Sequence, residues 1–178
     1  ADLLRTFGAS ILADFYQEAI KDMPPRVPRF IEESLILGDR YRNPYPRDVA
    51  LQSGGITADE LHQLTKNRLL RLDPQGDELR IELIHDRLVG VVRESRDARR
   101  AHELASQAAA LGHVEASWLS AASYDRWCMY RGFPQRYGTQ IVPDGARHRV
   151  WDCDPTTTDA ERARFNVPPL AQMERRAA

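Results

Sequence analysis

Leu70-Arg-Leu72, Asp73-Pro-Gln-Gly-Asp77, Leu79-Arg-Ile81-Glu-Leu83 and then His85-Asp86: this stretch decides how the chain is read. Two runs alternating apolar and polar residues flank a Pro/Gly turn, the pattern of a β-hairpin with one face on a core. His85-Asp86 then opens a helix whose inner face carries Leu88, Val89 and Val92. Upstream, Thr57-Ala-Asp-Glu60 is a capping box, in which a hydroxyl and a carboxylate each satisfy a free amide at a helix start. A helix is expected to follow through Leu61, Leu64 and Leu69. Earlier still, Ile11, Leu12, Phe15, Tyr16 and Ile20 recur at helical spacing over residues 8–21. Met23-Pro24-Pro25 stops that run, since proline disfavours helix in the residue before it. Val27, Phe30, Ile31 and Leu35 mark a second helix ending near Gly38, and residues 39–48 read as an irregular connector.

Helices, a hairpin and a closing helix describe a winged-helix module over residues 1–98. The pattern changes near residue 100. Residues 99–111 and 114–131 predict an αα-hairpin broken at Gly112. Its small residues (Ala105, Ala108, Ala109, Ala116, Ala121, Ala122) allow close approach, with Trp118, Leu119 and Trp127 expected to fill the interface. Gly132 and Pro134 end the helical run, and Gln135–Val150 reads as turn and short strand. Thr158-Asp-Ala-Glu161 predicts a capped turn, and Pro168-Pro169 precedes a last short helix. The expected fold class is therefore mainly α: a winged-helix domain with a small β-hairpin wing, then a small helical domain over residues 99–178 with an irregular motif loop.

Composition sets the exclusions. The chain has 178 residues, 42% hydrophobic and 29% charged, which suits a globular chain and not a disordered one. No apolar run approaches the roughly 20 residues that cross a bilayer. Residues 1–100 carry 16 basic and 17 acidic side chains and residues 101–178 carry 9 and 9, so neither half has the cationic excess of a strong nucleic-acid binder. The helix before the wing offers Lys66, Arg68 and Arg71, but the wing tip holds Asp73, Asp77 and Glu78, which repel phosphates. Two cysteines, Cys128 and Cys153, make no disulfide framework, and a reducing cytoplasm is the expected location. The absence of an initial Met leads us to expect a piece of a longer chain.

Phe15-Tyr16, Phe30-Ile31-Glu32, Arg68-Leu-Leu70 and above all Glu82-Leu-Ile-His85-Asp86-Arg87-Leu88 resemble the winged-helix domain of STAND-type NTPases, the regulated switches of bacterial conflict systems. The resemblance covers about residues 9–100, with Arg93–Arg100 similar to the segment leaving that domain. It implies that His85 reaches the β-phosphate of ADP in the closed, inactive state, while Asp86 steadies the start of its helix. Local capping by His85 without any ligand is the competing assignment. No Gly-x-x-x-x-Gly-Lys-Ser/Thr loop occurs, so this piece is not expected to hydrolyse ATP alone. ADP or ATP with Mg²⁺ would then be held by an NTPase domain of the same parent chain.

In the second half, Asp125-Arg126, Gln135-Arg-Tyr137-Gly-Thr139-Gln140, Thr158-Asp-Ala-Glu-Arg162 and Val167-Pro-Pro-Leu170 resemble an uncharacterised bacterial domain marked by a Gln-x-Tyr-Gly-Thr-Gln motif. That resemblance implies no mechanism. Chemically, Asp125, Arg126, Gln135, Tyr137, Thr139 and Gln140 present the groups to grip a peptide or small polar ligand by paired hydrogen bonds, as a sensor site or a small enzyme's pocket. They are equally suited to a buried network that locks the loop. No metal-ligand spacing links His62, His85, His102, His113 and His148. Cys128 or Cys153 with His148 as base has no local support, and Asp152 and Asp154 before Pro155 read as an ordinary turn. No catalytic residue is assigned.

Overall fold

The structure is a computed structural model that describes residues 2–178, with side chains from residue 11 onward. In chain order its elements are α1 (Asp2–Ile20), α2 (Arg26–Ser34), β1 (Ile36–Leu37), β2 (Tyr41–Arg42), β3 (Tyr45–Pro46), α3 (Arg47–Gln52), α4 (Ala58–Lys66), β4 (Leu70–Gln75), β5 (Glu78–Leu83), α5 (Leu88–Ala110), α6 (Val114–Tyr130), β6 (Ile141–Asp144), β7 (Arg147–Val150), α7 (Asp159–Arg164) and α8 (Leu170–Ala177). Helices predominate, and the strands form small antiparallel sheets of two or three. The chain divides into two compact units, Ala1–Arg96 and Asp97–Ala178. No helix among the described residues is long and apolar enough to cross a membrane.

In the first unit, β4 and β5 pair from Leu70↔Leu83 to Gln75↔Glu78, leaving only Gly76 and Asp77 to turn. The strands thus run further than alternation alone implies. Gly76, at φ 62°, supplies the positive dihedral that matches a tight hairpin to the strand twist. Pro74 is tolerated inside β4 because β4 is an edge strand in the order β3-β5-β4. Tyr45 of β3 pairs with Ile81, and its ring meets Phe30 of α2 edge-on at 5.5 Å. The fully buried Ile81 and Leu83 pack with Leu64 of α4, Ile31 of α2 and Tyr16 of α1. Each such aliphatic side chain contributes about 1.5–3 kcal/mol of burial. Ser95 of α5 donates to the buried Glu32 carboxylate at 2.7 Å, tying α5 to α2.

Four expectations need correction. Residues 39–48 are not irregular throughout: they hold β2 and β3, with α3 following. Strands of two residues are too short to show a period of two, so alternation had nothing to detect. The helix after the hairpin does not stop before a new one near residue 99; α5 is continuous, since only Gly90 weakens it and no proline breaks it. In α6, Trp118 and Leu119 are 41% and 54% exposed, while Ala116, Ser120, Ala121, Asp125 and Cys128 face inward. Ile11, assigned to the first apolar stripe, is also exposed, at 56%.

Thr57 and Glu60 cap α4 reciprocally, and Glu60 also takes two hydrogen bonds from Arg26, at 2.7 and 2.8 Å. Replacing Thr57 with Ala should cost about 1 kcal/mol in urea unfolding. The Arg26 hydrogen bond, with help from Thr57, holds the Glu60 carboxyl below its ordinary 4.5. That stabilisation is complete above 4.5 and fades as pH falls through the lower folded value. The gap in urea midpoint between wild type and Glu60→Gln should therefore close on acidification.

Candidate functional site

His85 lies just after β5 and is exposed. Its Nδ1 accepts the Arg87 N–H at 3.0 Å. A neutral imidazole with an accepting Nδ1 carries its proton on Nε2, and Nε2 has no partner among the described residues. The ring is thus locally braced and still offers an outward N–H. Its carbonyl and that of Asp86 receive the N–H groups of Leu88 and Val89, at 3.1 and 3.0 Å, which starts α5. Asp86 does this with its backbone; its carboxylate is taken by Arg42. Side-chain capping by Asp86 is therefore not what steadies the helix. Arg42 of β2 also donates to the Leu83 carbonyl at 3.0 Å and pairs with buried Glu82 at 3.3 Å. One guanidinium so grips the chain on both sides of His85, and Arg71 balances the other Glu82 oxygen.

In the second unit the motif residues come together, but around Asp125 and not around an opening. Asp125 is fully buried. Its Oδ1 accepts the N–H groups of Arg136 and Tyr137 at 2.8 and 2.9 Å. Its Oδ2 accepts the Thr139 N–H and hydroxyl at 2.9 and 2.8 Å. Burial pushes the Asp125 carboxyl upward, against the pull of these four donors. Gln135, also fully buried, donates to the carbonyls of Gln140 and Trp151 at 3.1 and 2.7 Å and accepts the Gln140 N–H at 2.8 Å. Gln140 donates to the Ala122 carbonyl at 2.9 Å and accepts from Arg126 Nε at 3.1 Å. The Tyr137 ring packs against Phe165 with centroids 4.6 Å apart, and its carbonyl accepts from buried Arg162 at 3.1 Å. Gly138 sits at φ 81°, a conformation that strains any other L residue, and a Cβ there would also press on Leu170 Cδ1 at 3.0 Å.

Asp125, Gln135, Thr139 and Gln140 bond to one another and to backbone, the arrangement of a network that locks the loop. Only Arg126 remains exposed, with its Nε engaged.

A groove does open beside the loop, about 410 Å³, lined by His102, Ser106, Ala109, Ser120, Tyr124, Arg136, Tyr137 and Phe165. That volume lies within the range of small-molecule pockets. His102 Nδ1 faces the Ser120 carbonyl at 3.0 Å. A carbonyl only accepts, so Nδ1 carries a proton. The Ser106 and Ser120 hydroxyls, 2.8 Å apart, also lie on the Nδ1 side, at 3.4 and 3.3 Å. A serine nucleophile needs the imidazole lone pair facing it, and here the facing nitrogen is protonated. His102 Nδ1 is therefore not set to take a proton from either serine. His102 and Ser106 are one turn apart on α5, a spacing legible in sequence; their meeting with Arg136 and Phe165 was not.

Other candidates resolve quickly. Burial pushes the thiols of Cys128 and Cys153 each up to about 11, which keeps them protonated near neutrality. Asp154 accepts the N–H and hydroxyl of Thr156, at 2.9 and 2.7 Å, and Asp152 pairs with Arg149, so this is a turn as expected. No cluster of three or more His, Cys, Asp or Glu suited to a metal occurs among the described residues. Compared with models of protein families, with curated proteins and with solved structures, the chain matches none.

Asp125→Ala orphans three backbone N–H groups and should cost about 3 kcal/mol or more, seen as loss of near-UV circular dichroism well before wild type unfolds. Thr139→Val, which removes one hydroxyl donor, should cost only about 1 kcal/mol in the same assay.

Proposed function

We propose that this chain is a regulatory piece of a STAND-type NTPase, in which a winged-helix module reads nucleotide state and the second unit meets the signal. The carrying observation is His85, exposed and with its free N–H set outward by the Arg87 amide. A phosphate oxygen is a natural acceptor for such a donor. What supports a winged helix is the succession β3, α3, α4, β4, β5 with β3 placed beside β5. The acidic wing tip and the engagement of Arg71 by Glu82 turn the module towards a protein neighbour and away from nucleic acid.

This chain contributes one donor and no phosphate cradle, so the NTPase domain of the parent would hold the ADP or ATP with Mg²⁺. The nucleotide supplies the phosphate oxygens that distinguish the closed state from the open one. His85 contributes an interaction present only when the module is docked, and Arg42 keeps that imidazole in register by holding Leu83 and Asp86. A ligand or protein partner engaged by the second unit, with the His102 groove as its receiving surface, would draw the equilibrium to the open state in proportion to its preference for that state.

In the parent protein, His85→Ala should release a fluorescent ADP analogue about tenfold faster or more, the equivalent of one hydrogen bond to a charged group. His85→Gln, which keeps an N–H, should fall between the two. Unchanged release in His85→Ala would overturn the assignment.

A further inference from the structure

Arg131, which follows α6, is 7% exposed, and its Nε is buried without a hydrogen-bond partner among the described residues. Its guanidinium carbon lies 5.3 Å from the Trp127 ring centroid and 5.0 Å from that of Phe133. One turn back, the Trp127 indole N–H is also buried without a partner. The ring contacts and the C-terminal end of α6 stabilise the positive charge. They leave the buried Arg131 Nε–H and Trp127 indole N–H without an oxygen acceptor. Buried donors left unmet cost free energy, and those of a cation cost the most. Among the described residues no acceptor meets these two donors.

We propose that Arg131 and Trp127 form a receptor for a carboxylate brought by a peptide or protein partner. A carboxylate is flat, singly charged and able to accept two parallel N–H bonds, which suits one guanidinium between aromatic rings. A phosphate dianion would leave a net negative charge in the same desolvated place. This inference stands apart from the nucleotide-sensing reading, because it concerns other residues and is tested on this chain alone.

The experiment follows the Arg131 Nε–H and Trp127 indole N–H resonances of the ¹⁵N-labelled chain during titration with sodium acetate, at ionic strength held constant with chloride. Both resonances should move along a saturating curve with a millimolar midpoint, and Arg131→Lys should weaken binding about tenfold. An acetylated tri-alanine with a free C-terminus and an amidated peptide carrying one Glu then distinguish a chain end from an acidic side chain as the source. A response to acetate no different from that to chloride would overturn the proposal, and so would tighter binding of inorganic phosphate. The wild-type titration decides this even if the lysine variant does not fold.

Discussion

Three backbone amides and a hydroxyl from residues 136–139 converge on the Asp125 carboxylate. The apolar core of this unit is thin, with Ala121, Tyr137 and Val167 buried and Tyr124 and Phe165 packed against them. So little hydrocarbon cannot by itself fix a loop of this length. The polar network does so instead: each buried donor has one acceptor within reach, and any other conformation of the loop would strand it. On α6, Asp125 points at the loop with Ala121 and Cys128 buried on the same side of the helix.

Against this background of satisfied groups, the unsatisfied ones stand out. Gln135 and Gln140 make use of both ends of their amides, and Arg162 of the guanidinium edges facing Tyr137 and Thr157. Among the described residues, His85 Nε2, His102 Nε2 and Arg131 Nε have no such partner. The two imidazoles differ at Nδ1. A backbone N–H meets Nδ1 of His85, which leaves that ring's proton on Nε2, whereas a carbonyl meets Nδ1 of His102, which puts a proton there. That difference comes from which backbone atom lies beside the ring.

Much of the secondary structure was legible because its causes are local. The Thr57–Glu60 and Thr158–Glu161 boxes mark the starts of α4 and α7, and both boxes are closed reciprocally in the structure. Alternation from Leu70 to Leu83 marks β4 and β5. The two-residue strands β1, β2 and β3 were illegible, since they exist only through their partners. The candidate site was half legible. The sequence pointed to Asp125, Gln135, Thr139 and Gln140 as a group, but amides and carboxylates that bind a ligand look the same as those that bind each other.

Arg131 shows the opposite failure. One more arginine in a chain with 23 of them carries no signal, although its spacing from Trp127 places the two on one helix face. By itself, then, the sequence determined what depends on neighbours along the chain: caps, turns, helical stripes and the pairing of adjacent runs. Only the tertiary structure decided which polar groups found partners, because that depends on atoms brought together from residues far apart in the chain. Function rests on what remains open after those partners are counted.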